Sequence, residues 1–131
     1  MKRILFFSVP LLVALNLFAK EVYIDPGPNA QERLQEALIL IEEGDTLIIK
    51  SGYYKFEDGL SLDVDNVTVK GEGINSTILD FKNQQSGAQG LLVTSDRVTL
   101  SDFSILDAKG DALKVIGAKG IKMINLKTEW T

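Results

Sequence analysis

Hydrophobic residues recur along this chain in two rhythms, and the change from one to the other falls at Gly44. Before it, Val22-Tyr23-Ile24 is a short β-branched and aromatic run stopped by Asp25-Pro26-Gly27-Pro28, which reads as a strand ending in a turn. Leu34, Ala37, Leu38 and Ile41 then fall at i, i+3, i+4 and i+7 and predict one helix from Ala30 to Glu43 with a single apolar face. Asn29 stands where its side chain can cap the first turn, Glu32 completes a capping-box pattern, and Gly44 suits a left-handed position past the end. After Gly44 the period becomes that of strands. Thr46 to Ile49 is a strand, and Ser51-Gly52-Tyr53-Tyr54 is a turn and restart. Further short strands are predicted at Leu60 to Val64, Val67 to Val69, Thr77 to Leu79, Leu91 to Thr94, Val98 to Leu100, Phe103 to Leu106, Leu113 to Ile116, Ile121 to Met123 and Leu126 to Glu129. Such spacing, with no second helix, suits a sandwich, a barrel or a solenoid.

An internal repeat decides among them. Val98-Thr99-Leu100-Ser101-Asp102-Phe103 recurs 23 residues later as Ile121-Lys122-Met123-Ile124-Asn125-Leu126. In that register Leu92 meets Val115 and Val93 meets Ile116. A looser copy, Val67-Thr68-Val69-Lys70-Gly71, lies 31 residues before Val98, and the polar loop Lys82 to Gln89 accounts for the extra length. The position after the strand holds Gly71, Asp102 and Asn125, residue types that tolerate a left-handed backbone. The preceding corner holds Asp65-Asn66, Asp96-Arg97 and Lys119-Gly120. Short strands on a repeat of about 20–25 residues, with one corner residue per turn, are the pattern of a solenoid.

On these residues the chain resembles the pectate-lyase-like superfamily of right-handed parallel β-helices. Gly44 to Tyr54 is similar to an opening coil in which a strand leads into a Gly-x-Tyr corner. Val67 to Gly73 with Ser76 to Asp80 resembles the next coil, and Asp107 to Leu113 a later corner. The resemblance covers Val22 to Thr131 and implies an all-β fold, a right-handed parallel β-helix with one N-terminal capping α-helix. Capping makes physical sense, because an open solenoid end exposes core and unpaired strand edges. Members of the superfamily include polysaccharide lyases, galacturonan hydrolases and uronate epimerases, so the fold alone names no reaction.

Composition narrows the chemistry. The chain has neither Cys nor His, which excludes disulfides, thiol catalysis, Ser-His-Asp chemistry and imidazole-ligated metals. A net charge of −4 without a basic stripe argues against nucleic acid and anionic membrane surfaces as partners. Met1-Lys2-Arg3, the apolar stretch Ile4 to Phe18 and the small residue Ala19 read as a signal peptide over residues 1–19. Leu17 departs from the small residue usual two positions before the cleavage point. An uncleaved anchor is the alternative, but the run is 15 residues, short of the roughly 20 that a spanning helix needs. The expected location of residues 20–131 is secreted or periplasmic, in a bacterium.

No catalytic constellation stands out. Asp25-Pro26 shares two letters with the epimerase-type Asp-Pro-His-Asp motif but precedes the coils. Asp107 and Asp111 are the one carboxylate pair near a repeated corner that glycoside hydrolysis could use, and a turn role is favoured for both. Arg33, in the helix, and Arg97, at a corner, sit in no visible carboxylate cluster of the kind a calcium-dependent lyase needs. Gly71-Glu72-Gly73 precedes no helix, so it is not a phosphate loop. Asn66-Val67-Thr68 and Asn75-Ser76-Thr77 match glycosylation sequons of a kind common by chance. Tyr53, Tyr54 and Trp130 are candidates to stack on sugars, with ordinary packing as the default. The loop Lys82 to Gln89 is the best candidate for a functional excursion.

The expectation is a β-helix repeat protein associated with carbohydrate, with no catalytic residues, cofactor or metal assigned. The alternatives are the N-terminal part of a polysaccharide lyase, hydrolase or epimerase, and an assembly module. Because Leu126 to Glu129 runs to Thr131 without a cap, self-association or further coils are expected at that end.

Overall fold

The computed structural model describes residues 18–131. The signal-peptide reading therefore falls, apart from Phe18 and Ala19, outside the described residues. Strand β1 (Glu21–Ile24) leads through the Pro-Gly turn into helix α1 (Ala30–Leu40). Nine strands follow: β2 (Thr46–Ile49), β3 (Gly52–Lys55), β4 (Leu60–Leu62), β5 (Thr68–Lys70), β6 (Thr77–Asp80), β7 (Gln89–Val93), β8 (Thr99–Leu106), β9 (Asp111–Val115) and β10 (Lys122–Glu129). Every pairing is parallel. No helix among the described residues is long and apolar enough to cross a membrane.

The chain winds as a parallel β-helix with three faces. One face stacks β1, β2, β5 and the first half of β8, and a second stacks β3, β6 and the second half of β8. The third stacks β4, β7 and β9. β10 lies on β8 along its length, from Lys122 on Thr99 to Glu129 on Leu106. β8 and β10 each turn between two faces at a left-handed residue, Asp102 (φ 64°) and Asn125 (φ 51°), so each replaces two predicted strands.

Alternate residues point inward and stack coil on coil. Leu47, Val69 and Leu100 form one buried column, Leu60 and Leu91 another, Leu62 and Val93 a third, and Tyr54, Leu79 and Ile105 a fourth. Phe56 and Phe81 stack at a corner with ring centroids 4.9 Å apart. Removing any such side chain to Ala costs about 2–5 kcal/mol, because neighbours above and below cannot close the gap.

The corners repeat as the columns do. Gly44 (φ 94°), Asn66 (φ 58°), Arg97 (φ 56°) and Gly120 (φ 74°) each stand two residues before a strand in the left-handed conformation. Their backbones are linked from coil to coil: Gly44 donates to the Asn66 carbonyl, Asn66 to Asp96 and Arg97 to Lys119. A carboxylate reinforces the last two steps. Asp65 accepts the Asp96 N–H at 2.8 Å, and Asp96 accepts the Lys119 N–H at 3.1 Å.

Four sequence expectations are corrected. Helix α1 ends at Leu40 instead of Glu43, because Ile41 turns extended (φ −59°, ψ 144°) and sinks its side chain into the core. Gly44 is left-handed as expected, but it belongs to the corner column and not to the helix end. Asn29 makes no side-chain cap. It is itself left-handed (φ 59°), whereas a capping side chain needs an extended backbone, and it serves the turn after Pro28. Gly71 is not left-handed. It is required by close approach, since a Cβ there would lie 2.2 Å from the Asp102 carbonyl oxygen.

The repeat register between β7 and β9 is also one residue off the expected one. Leu92 pairs with Lys114 and Val93 with Val115, a separation of 22 residues, while β8 and β10 keep 23. The extra residue is absorbed in the corner after Val115, where Gly117 is left-handed (φ 62°). This register keeps Leu91 and Val93 inward over Leu113 and Val115 and leaves Lys114 facing out.

Candidate functional site

A groove of about 560 Å³ lies where the start of α1 meets β3 and the corner that follows it. The strand alternation that buries Tyr54 and Phe56 turns Tyr53 and Lys55 outward, and Glu57 and Asp58 follow at the exposed corner. Gln31 and Glu32, on the first turn of α1, form the opposite wall, and Asn83 closes one side. Gln31 ties the two walls, its Oε1 accepting the Glu57 N–H at 2.8 Å.

Tyr53 is an exposed ring held at its hydroxyl. Its ring is 51% exposed, yet its hydroxyl donates to Asp80 Oδ2 at 2.7 Å. Asp80 is nearly buried, and its other oxygen accepts the Lys82 N–H at 2.9 Å. One carboxylate thus orients both the ring and the start of the loop that carries Asn83. The bond to Asp80, then partial burial and the Asp80 charge, push the Tyr53 phenol above its ordinary range. The ring keeps its proton and its orientation across physiological pH.

The Lys82 to Gln89 loop is built around Gln84, which is 1% exposed. Its amide donates to the carbonyls of Ser86, Gly87 and Gln89, and its Oε1 accepts the Lys109 N–H at 3.0 Å. Gln85 and Ser86 donate to the Glu57 carbonyl. The excursion is therefore pinned against the coils at both neighbours, and it presents Asn83 from a fixed base.

The other sequence candidates separate. Asp107 is left-handed (φ 54°), and its carboxylate accepts the Thr131 N–H at 2.6 Å and the Thr131 hydroxyl, which hold it below the usual carboxylate range. Asp111 opens β9 opposite Gln89. The Asp107 carboxylate thus ties its corner to the next coil instead of bonding its own turn. Arg33 donates to the carbonyls of Asp25 and Pro28, so it fastens the turn that carries Asp25-Pro26. Arg97 faces Asp65 across 3.8 Å at the corner column. Glu72 accepts the Ser51 N–H and hydroxyl and so ties the Gly71-Glu72-Gly73 turn to the preceding coil. Asn66, of the first sequon, is the left-handed corner residue.

Of the three aromatic candidates only Tyr53 joins the groove with its ring free. Tyr54 is buried, its hydroxyl donating to the Lys50 carbonyl at 2.7 Å and lying 3.1 Å from that of Ile24, and burial pushes it up to about 12. Trp130 donates to the Ala108 carbonyl at 2.7 Å at the far end of the solenoid. Gln31, Lys55, Glu57 and Asp58 are groove residues that sequence reading missed. The alternation Tyr53, Lys55, Glu57 on one strand face was the available signal. Nothing in the sequence placed Gln31 opposite them. Among the described residues, no group of three or more Asp and Glu side chains converges to hold a metal ion.

No protein-family model matches the chain, and no curated protein matches it. Among solved structures, a PL6 family alginate lyase, AlyGC, superposes with a TM-score of 0.63 at 17% identity. The match covers 84% of this chain and 16% of that one, so the chain spans about a sixth of the length of the lyase it matches. At this identity the likeness establishes the fold, a parallel β-helix.

Proposed function

We propose that this chain is a carbohydrate-associated β-helix of the pectate-lyase-like superfamily, secreted or periplasmic after loss of residues 1–19, that binds saccharide at the Tyr53 groove without carrying out a reaction there. The observation that supports it most is the Tyr53 ring, exposed yet oriented by a nearly buried Asp80, at the mouth of a polar groove. A sugar ring has an apolar face and an equatorial rim of hydroxyls. An aromatic ring meets the first, and the Gln31 and Asn83 amides with Lys55 and Glu57 meet the second. Three carboxylates, Glu32, Glu57 and Asp58, line the groove against one cation, Lys55, which favours neutral saccharides over polyuronates. No acid–base pair is assigned: the Asp107 carboxylate is engaged by Thr131, and Asp111 opens β9, both away from the groove.

Titration of the protein with neutral and uronic-acid oligosaccharides tests this reading. Binding of a neutral chain, weakened about tenfold by Tyr53→Ala (~1.4 kcal/mol), supports it. Equal binding by wild type and Tyr53→Ala contradicts it. A second reading, the N-terminal part of a longer polysaccharide-active enzyme, is favoured by the span of the match, 16% of the alginate lyase. A native mass well above that of residues 20–131 would support that reading and move the search for catalytic groups past Thr131.

A further inference from the structure

The hydrogen bonds that tie the start of the described chain to the first coil begin at Lys20, the residue after Ala19. The Lys20 backbone nitrogen donates to Asp45 Oδ1 at 3.0 Å, and its carbonyl accepts the Thr46 N–H at 3.0 Å. Its side-chain ammonium lies 3.0 Å from Asp45 Oδ2 and 2.9 Å from Glu42 Oε1. Asp45 is 2% exposed and also accepts the Glu42 N–H at 3.1 Å. Phe18 and Ala19, by contrast, are exposed.

The charges at this point do not balance in the unprocessed chain. Two carboxylates, Asp45 and Glu42, face one cation, the Lys20 side chain. Burial by itself would raise the Asp45 carboxyl, but the donors from Lys20 and Glu42 outweigh burial and hold it below the usual range, so it is ionised. A nearly buried, ionised carboxylate with a main-chain nitrogen already seated on one oxygen is a receptor for a second cation.

We propose that the Ala19–Lys20 bond is the processing site and that Asp45 captures the new N-terminus as an ion pair. The inference rests on the export reading above. An export-coupled endopeptidase hydrolyses the bond: water's hydroxyl joins the Ala19 carbonyl carbon, the Lys20 nitrogen takes the proton, and protonation gives an α-ammonium. The nitrogen already sits at the Asp45 oxygen, so the clamp needs no rearrangement of the coil. Two cations, both on Lys20, then meet two anions, Asp45 and Glu42. The cleaved chain is locked into the solenoid at its first residue, and Ala19, the small residue a signal peptidase prefers, is left outside.

The test is the N-terminal residue and intact mass of the exported protein, followed by an NMR pH titration of its α-amino group. The expected result is a chain beginning at Lys20 whose α-amino group titrates above the ordinary range of about 7.7–8.0 and returns to it in Asp45→Asn. Nα-acetylation of the wild-type exported chain is the parallel measurement if Asp45→Asn does not fold, and it should lower the Tm at pH 6. An exported chain starting elsewhere, an α-amino group in the ordinary range, or an acetylated chain of unchanged Tm overturns the clamp and leaves export standing. A chain retained in the cell with residues 1–19 attached overturns both.

Discussion

The first and last of the described coils carry the same strand pattern and bury it to very different degrees. At the first, α1 lies across the coil and buries Leu34 and Leu38, which line one small internal void together with Ile49, Leu60, Leu79 and Leu91. At the last, Met123 continues the Leu47–Val69–Leu100 column but is 55% exposed. Leu113, Val115, Ile121 and Leu126, inward by register, are only partly covered. The helix also treats the strand edge. The Gln35 amide donates to the Ser61 carbonyl at 3.1 Å and accepts the Ser61 N–H at 3.0 Å, so one side chain replaces the neighbour that β4 lacks on that side. Inwardness in a β-helix is thus set by strand parity, and burial by what lies on the next rung. The candidate groove is at the capped end, where the walls are held by Gln31 and Asp80 and a preformed site is least costly to keep.

Paired substitutions can break that comparison, and the largest effect is expected in one column. Leu100→Ala should cost about 2–5 kcal/mol in denaturant unfolding, and Met123→Ala, one rung on, about 0.5 kcal/mol or less. Similar losses at the two positions would show that the last rung is covered as well as the middle. Next comes the corner column. Asn66→Ala puts an alanine into the left-handed conformation and should cost about 1–2 kcal/mol, whereas Arg97→Gly should be close to neutral, since relief of the backbone offsets a weak exposed ion pair. Gln35→Ala should cost about 1 kcal/mol and raise amide exchange at Ser61 in particular.

The smallest expected effects are changes in the shape of the pH profile, as distinct from any loss of stability at neutral pH. Asp45 has a folded pKa below its ordinary 3.8, so its contribution is complete above that value and fades as pH falls below it. Asp45→Asn should therefore flatten the acid limb of the stability curve. Tyr54 runs the other way: raised from 10.0 to about 12, it favours the fold below pH 10 and loses that advantage as pH climbs toward 12. Tyr54→Phe should lessen the alkaline loss.

Much of the fold could be read from sequence because the solenoid writes its geometry locally. Asn66, Arg97 and Gly120 mark one corner and Asp102 and Asn125 another, each by a residue that must be left-handed. The reading slipped where that local code is weak. Leu91-Leu92-Val93 is apolar throughout, so alternation gives no parity there, and only Lys114 on the facing strand shows which residues point out. Gly71 misled for a related reason, because its need is a neighbour's carbonyl in the next coil and not its own backbone angle. The groove was hardest to see. Gln31, Tyr53 and Asn83 come from a helix, a strand and a loop far apart in the chain, and no spacing rule joins them. Tyr53 stands out as an aromatic beside a turn, but its partner Asp80 is 27 residues away.

Mapping of backbone amide shifts during titration with a neutral oligosaccharide tests the central claim most directly. Saccharide binding at the capped end predicts that the perturbed residues cluster at Gln31, Tyr53, Lys55, Glu57 and Asn83, with β10 silent. Shifts confined to β9 and β10, or none at all at saturating saccharide, would contradict it.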